Sequence, residues 1–160
     1  MSSSDKKQIK RRTWMMPQEV EVWYVLPAIR RELARVMKTK TVQRVGENGK
    51  KKEHKITQKE IAQILGVTEP AITQYLLKDK GRRSRGDQVE IPKRFMPQFD
   101  KSADIMIDAF EKHIVSDNPY EVMTREINRI IKMMRDDGAM CDIHMQFSVH
   151  VKGKCNACDR

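Results

Sequence analysis

The chain is notable first for what it lacks. It holds only 3 cysteines in 160 residues, an odd number, and no export signal opens it. Those two absences argue against a disulfide framework and for a reducing, cytoplasmic setting, where paired cysteines are more often metal ligands than cross-links. No segment approaches the ~20 uninterrupted apolar residues of a membrane helix, so no membrane partner is expected. A glycine-rich phosphate loop, a paired-carboxylate site and an oxyanion-hole signature are all missing. Cys141 and His144 alone make a weak nucleophile–base pair, so no enzyme is expected. No internal repeat is evident.

What the chain has is apolar mass and lopsided charge. At 39% hydrophobic it can build a core, which sets general disorder aside. Residues 1–94 carry 23 Lys or Arg against 11 acids, a net +12, whereas residues 95–160 carry 9 against 11, a net −2. The positive excess therefore lies in the N-terminal part, as expected if that part meets phosphate and the remainder does something else. Residues 1–13 are rich in Ser and Lys and read as a flexible basic arm. From Glu19 to Met37, Val22, Leu26, Ile29, Leu33 and Val36 recur at helical spacing, with Pro27 expected to kink the helix or split it in two. Residues 41–56, with Asn48-Gly49 and Lys50-Lys51-Lys52, suit either a basic β-hairpin or a solvated lysine-rich loop.

Two amphipathic helices are expected further on. The first runs from about Ser102 to Val115, with Ala103, Met106, Ile107, Phe110 and Ile114 on one face. The second starts at Asn118 and Pro119, with Glu121 completing a capping box and Gly138 as its stop. Its apolar face is Val122, Met123, Ile127, Ile130, Ile131 and Met134. Such stripes serve as ordinary core or as a dimer seam.

The strongest signal spans Thr57 to Leu77. Thr57 and Glu60 suit a capping box, and Ile61 and Leu65 give the first helix an apolar face. Ala62 is small where two helices would cross, and Gly66 suits a turn of positive φ. Val67 anchors that turn, Thr68 caps a second helix with Pro70 in its first turn, and Ile72 and Leu76 hold this helix down. The pattern is that of a helix-turn-helix. Thr68, Glu69, Pro70, Thr73 and Gln74 then stand at the front of the second helix, the end that leads into a major groove. Gln74 can bond adenine bidentately, Thr73 can meet a thymine methyl or a phosphate, and Glu69 can accept from a cytosine amine. Lys78, Lys80, Arg82, Arg83 and Arg85 follow and suit backbone phosphates.

The stretch from Met16-Pro17-Gln18 through Val22-Trp23-Tyr24-Val25-Leu26-Pro27-Ala28-Ile29-Arg30, with the Gln58–Leu76 block, resembles a family of archaeal predicted transcription regulators. Gly86 falls near a Lys/Arg-Gly pattern of that family. The resemblance covers most of residues 15–86 and returns at the C-terminal cysteines. It implies sequence-specific binding of double-stranded DNA by a homodimer with a helical DNA-binding core of the lambda-repressor type. The basic insertion from Lys40 to Lys55 and the Arg82–Arg85 cluster depart from its pattern.

At the C-terminus, Cys141-Asp142-Ile143-His144 and Cys155-Asn156-Ala157-Cys158 form two pairs, each with a two-residue spacer. Phe147, Val149 and Val151 alternate between them as a short strand would. Cys141, His144, Cys155 and Cys158 make a Cys₃His set that suits structural zinc first and an iron–sulfur cluster second, with a free-thiol redox switch or merely scattered thiols as the alternatives. The resembling family often ends in similar pairs.

The expected architecture is mainly α, in four parts. Residues 1–13 form the arm and 14–94 a helix-turn-helix DNA-binding domain. Residues 95–138 form a helical dimerisation region and 139–160 a small metal-binding tail. The expected function is a homodimeric, sequence-specific transcription regulator whose metal site is structural or sensory. The alternative is a non-specific nucleic-acid-binding protein with a zinc-ribbon-like tail.

Overall fold

The computed structural model describes residues 15–77, 85–112 and 118–147, together with Ala157. Across these residues the chain is mainly helical. The helices are α1 (Pro17–Val20), α2 (Leu26–Lys38), α3 (Gln58–Leu65), α4 (Glu69–Leu76), α5 (Met96–Lys112), α6 (Pro119–Asp137) and α7 (Ala139–Phe147). One antiparallel pair, β1 (Thr41–Val45) and β2 (Lys51–Lys55), interrupts them. Among the described residues, no helix is long and apolar enough to cross a membrane. The basic arm, residues 1–13, lies outside the described residues.

Proline inside a helix removes an amide donor and crowds the carbonyl four residues back. The chain meets this demand just before Pro27 with a π-helical turn, Glu21–Val25, in which the Leu26 amide reaches back to the Glu21 carbonyl. Pro27 then falls in the first turn of α2, and residues 17–38 continue as one helical segment. The widened turn inserts a residue and rotates the downstream face by about 100°. Val22, expected in the core, is therefore 57% exposed, while Val25, Ala28, Ile29, Leu33, Ala34 and Met37 are buried.

The basic insertion is a hairpin. Its register runs from Thr41↔Lys55 to Val45↔Lys51. The Gly49 amide bonds the Gly46 carbonyl at 2.9 Å and the Gly46 amide bonds the Lys50 carbonyl at 2.9 Å, with Gly49 at φ 71°. This is the loop type in which a left-handed glycine follows the turn, so Asn48-Gly49 serves a longer loop than the two-residue kind.

Helix α5 begins at Met96, earlier than its apolar spacing suggests, because Pro97 fits a first turn and Phe99 is fully buried. Asn118 caps α6 by accepting from the Tyr120 amide at 3.0 Å, and no capping box with Glu121 forms. Gly138, at φ 93°, ends α6 as expected. Ala103, Met106 and Ile107 of α5 and Val122, Met123, Ile127, Ile130 and Met134 of α6 are buried in this chain's own structure. The stripes read as core or dimer seam thus pack intramolecularly. One contiguous cluster runs from Met15 to Phe147, so the core does not divide at residue 95. Polar groups enter it in pairs: the buried Ser102 hydroxyl donates to Glu126 at 2.9 Å, and buried Glu21 accepts from Arg135 at 2.5 Å.

Candidate nucleic-acid interface

Thr57 starts α3 by a reciprocal arrangement. Its hydroxyl accepts from the Glu60 amide at 3.2 Å, and the Glu60 carboxylate accepts from the Thr57 amide at 3.2 Å. Ile61, Ala62, Ile64 and Leu65 are buried. Gly66 closes the helix at φ 66°, bonding the Gln63 carbonyl at 3.3 Å, while the Val67 amide reaches the Ala62 carbonyl at 3.0 Å. That is the Schellman pattern, with Val67 as its apolar anchor packed on the core. Thr68 then caps α4 through the Ala71 amide at 3.3 Å, and Ile72 is fully buried.

With Ile72 pinned inward, Thr68, Glu69, Pro70, Thr73 and Gln74 are all exposed on α4. Gln58, which the sequence pattern does not single out, accepts from the Thr73 hydroxyl at 3.2 Å and so ties the first turn of α3 to the exposed face of α4. Lys78, Lys80, Arg82 and Arg83 lie outside the described residues. Arg85 opens a 3₁₀ turn, Arg85–Gln88, just beyond them.

Two residues fix where the chain returns after the basic run. Arg31 of α2 is buried, donating to the Gly86 carbonyl at 2.7 Å, Asp87 at 3.2 Å and the Val89 carbonyl at 3.1 Å. Gly86 lies against the backbone of α2. A Cβ there would come within 2.8 Å of the Pro27 carbonyl carbon and 3.0 Å of the Ala28 nitrogen. Because backbone atoms cannot swing aside, Gly86→Ala should cost about 1–3 kcal/mol, the range for overpacking. Thermal unfolding of the variant checks it; an unchanged midpoint would contradict the close approach.

The hairpin is fastened to α3 and α5 by Arg44, which forks onto Glu111 at 2.6 Å and 3.2 Å and also pairs with Glu60. Bonds to Glu111 and then Glu60 hold the Arg44 guanidinium above its ordinary value. Burial pushes the Glu60 carboxyl up, but bonds from Arg44 and Thr57 outweigh it and leave Glu60 below the usual carboxylate value. A depressed carboxylate contributes stability above its unfolded value of ~4.3 and loses it as pH falls through the folded value beneath. Unfolding midpoints should therefore drop as pH falls below about 4.3, and Glu60→Gln should flatten that acid slope. An identical slope in the variant would count against the tie.

Of the expected metal ligands, the described residues include two. Cys141 and His144 lie on α7, and at a spacing of three they share a helix face. Phe147, expected to begin a strand, ends α7 and stacks on Tyr24 with ring centroids 4.3 Å apart. The His144 Nε2 lies 2.7 Å from the Met15 carbonyl and must donate to it, which leaves Nδ1 as the lone-pair nitrogen. Cys155, Cys158, Val149 and Val151 lie outside the described residues. Among the described residues, no three potential ligands come together.

Comparison of the chain with protein-family models, with curated proteins and with solved structures finds no match.

Proposed function

We propose that this chain is a sequence-specific DNA-binding transcription regulator in which α3 and α4 act as a helix-turn-helix and α4 reads base edges. The observation that carries the proposal is the division of α4. Ile72 is sealed in the core, while Thr68, Glu69, Pro70, Thr73 and Gln74 stand exposed at its leading end. Exposed hydrogen-bonding side chains on a short, well-anchored helix are what major-groove readout requires. The net +12 of residues 1–94, and Lys78, Lys80, Arg82, Arg83 and Arg85 directly after α4, suit the phosphates on either side. The resemblance of most of residues 15–86 to archaeal transcription regulators supports the same reading, including a homodimer. Such a dimer would need a surface other than the apolar stripes of α5 and α6, which the chain's own core consumes.

Selection of bound sequences from a randomised duplex pool tests the proposal. A homodimer should enrich a palindromic site with half-sites about 10–10.5 bp apart, or a multiple of that. Uniform recovery of unrelated sequences would replace this reading with that of a non-specific nucleic-acid-binding protein.

For the C-terminal set we propose a structural metal, zinc before an iron–sulfur cluster, held by Cys141, His144, Cys155 and Cys158. The half of the set that is described fits: the helix puts both side chains on one face, and the Met15 carbonyl fixes the His144 tautomer as an outer partner of a ligand histidine does. A closed Cys₃His site would tie Cys155 and Cys158 to α7. Elemental analysis should find about one zinc per chain, lost in Cys141→Ser. A brown absorbance with bound iron would mark a cluster instead.

A further inference from the structure

The hairpin is the largest feature that the reading of α4 does not use. Basic groups at its base are neutralised. Lys40 sits 2.8 Å from Asp100 and 2.7 Å from Asp104, and Arg44 is engaged by Glu60 and Glu111. Those on the returning strand are not. Lys50, Lys51, Lys52 and Lys55 are exposed and have no ion-pair partner among the described residues. All of β2 is exposed. A fixed hairpin whose inner cations are spent on anchoring and whose outer cations are left free has the charge layout of a surface that takes a polyanion.

Its place in the fold narrows the partner. Arg44 ties the hairpin to Glu60 in the first turn of α3, and Gln58 in that same turn bonds Thr73 on the exposed face of α4. The hairpin and α4 therefore flank one helical turn. We propose that the β1–β2 hairpin is a second DNA-binding element, a wing whose Lys50, Lys51 and Lys52 lie on duplex phosphates while α4 occupies the groove. This rests on the reading of α4 as the recognition helix. The wing supplies affinity without sequence information, because phosphates carry none directly.

The test uses the full chain and a variant, Lys50→Gln, Lys51→Gln, Lys52→Gln, titrated at several salt concentrations against a site recovered by selection and against a random duplex. Each neutralised phosphate contributes about 0.9 to the slope of log affinity against log salt. The variant should lose about 2–3 units of slope on both duplexes and bind at least about tenfold more weakly near ~0.1 M salt, with selectivity between the duplexes intact. Equal slopes for variant and parent overturn the wing and leave the α4 reading standing. A parent chain that binds neither duplex overturns both. Lysine dependence confined to single-stranded RNA overturns the DNA wing in favour of an RNA contact. All these side chains are exposed, so an unchanged unfolding midpoint confirms that the variant is folded.

Discussion

Replacing Arg31 with Ala is expected to cost about 3–5 kcal/mol, the range for removing one partner of a buried charged network. Three features set the size. Its side chain is buried, so the substitution leaves a cavity. Its guanidinium bonds the carbonyls of Gly86 and Val89; the Val89 carbonyl would lose that donor, while the Gly86 carbonyl would keep only the Val89 amide at 3.3 Å. Asp87 and Glu32 would each lose a cation, with Arg35 still paired to Glu32. At roughly 2–4 °C per kcal/mol for a chain of this size, the unfolding midpoint should fall by about 10 °C. Arg31→Lys should recover only part of this, because a single ammonium cannot reach both carbonyls and both carboxylates. A loss below about 1 kcal/mol would mean that the return of the chain at Gly86 is held by packing alone.

Replacing Thr73 and Gln74 together with Ala should leave the fold intact and erase sequence discrimination. Both side chains are exposed, and the one bond lost between helices, Thr73 to Gln58, lies at the surface. Stability should therefore move by no more than about 0.5 kcal/mol. Each well-placed base contact is worth about 1–3 kcal/mol of discrimination, so the double variant should lose between about thirtyfold and about twenty-thousandfold in preference for the selected site. Affinity for random duplex should hardly change, since the phosphate contacts proposed for the basic residues would remain. Competition titration of selected against random duplex measures this. A variant that keeps its preference would show that another surface reads the bases.

The pair α3–α4 was legible because its determinants are local. Thr57, Glu60, Gly66 and Thr68 act through bonds to their own neighbours in sequence, and each makes the bond its type suggests. The mainly helical class was legible for a similar reason. The phase ahead of Pro27 was not, because a π-helical turn there leaves no periodic mark: Val22 faces outward, while Ile29 and Leu33 beyond it are buried as their spacing suggests. Arg31, Gly86 and Arg44 were invisible as a group. Arg31 meets its partners 55 to 58 positions away, and Arg44 meets Glu111 at a separation of 67. Such pairings depend on the packing of α2, α5 and the hairpin, which no window of sequence contains. The destination of the α5 and α6 stripes was equally non-local. An apolar face announces that it will be covered, and only the assembled core shows that α5 and α6 cover each other together with α2, α3 and α7. Glu121 failed as a capping partner because Asn118 bonds the nearer Tyr120 amide instead.

The central claim is that the exposed front of α4 lies in a DNA groove, and site-directed photocrosslinking tests it most directly. A photoreactive side chain at position 74 of the full chain, irradiated on a duplex recovered by selection, should attach to bases within the enriched site. The same group at Glu121, on the first turn of α6, should give no DNA adduct. Crosslinks at position 121 with none at position 74 would contradict the account and move the nucleic-acid surface to the other end of the molecule's sequence.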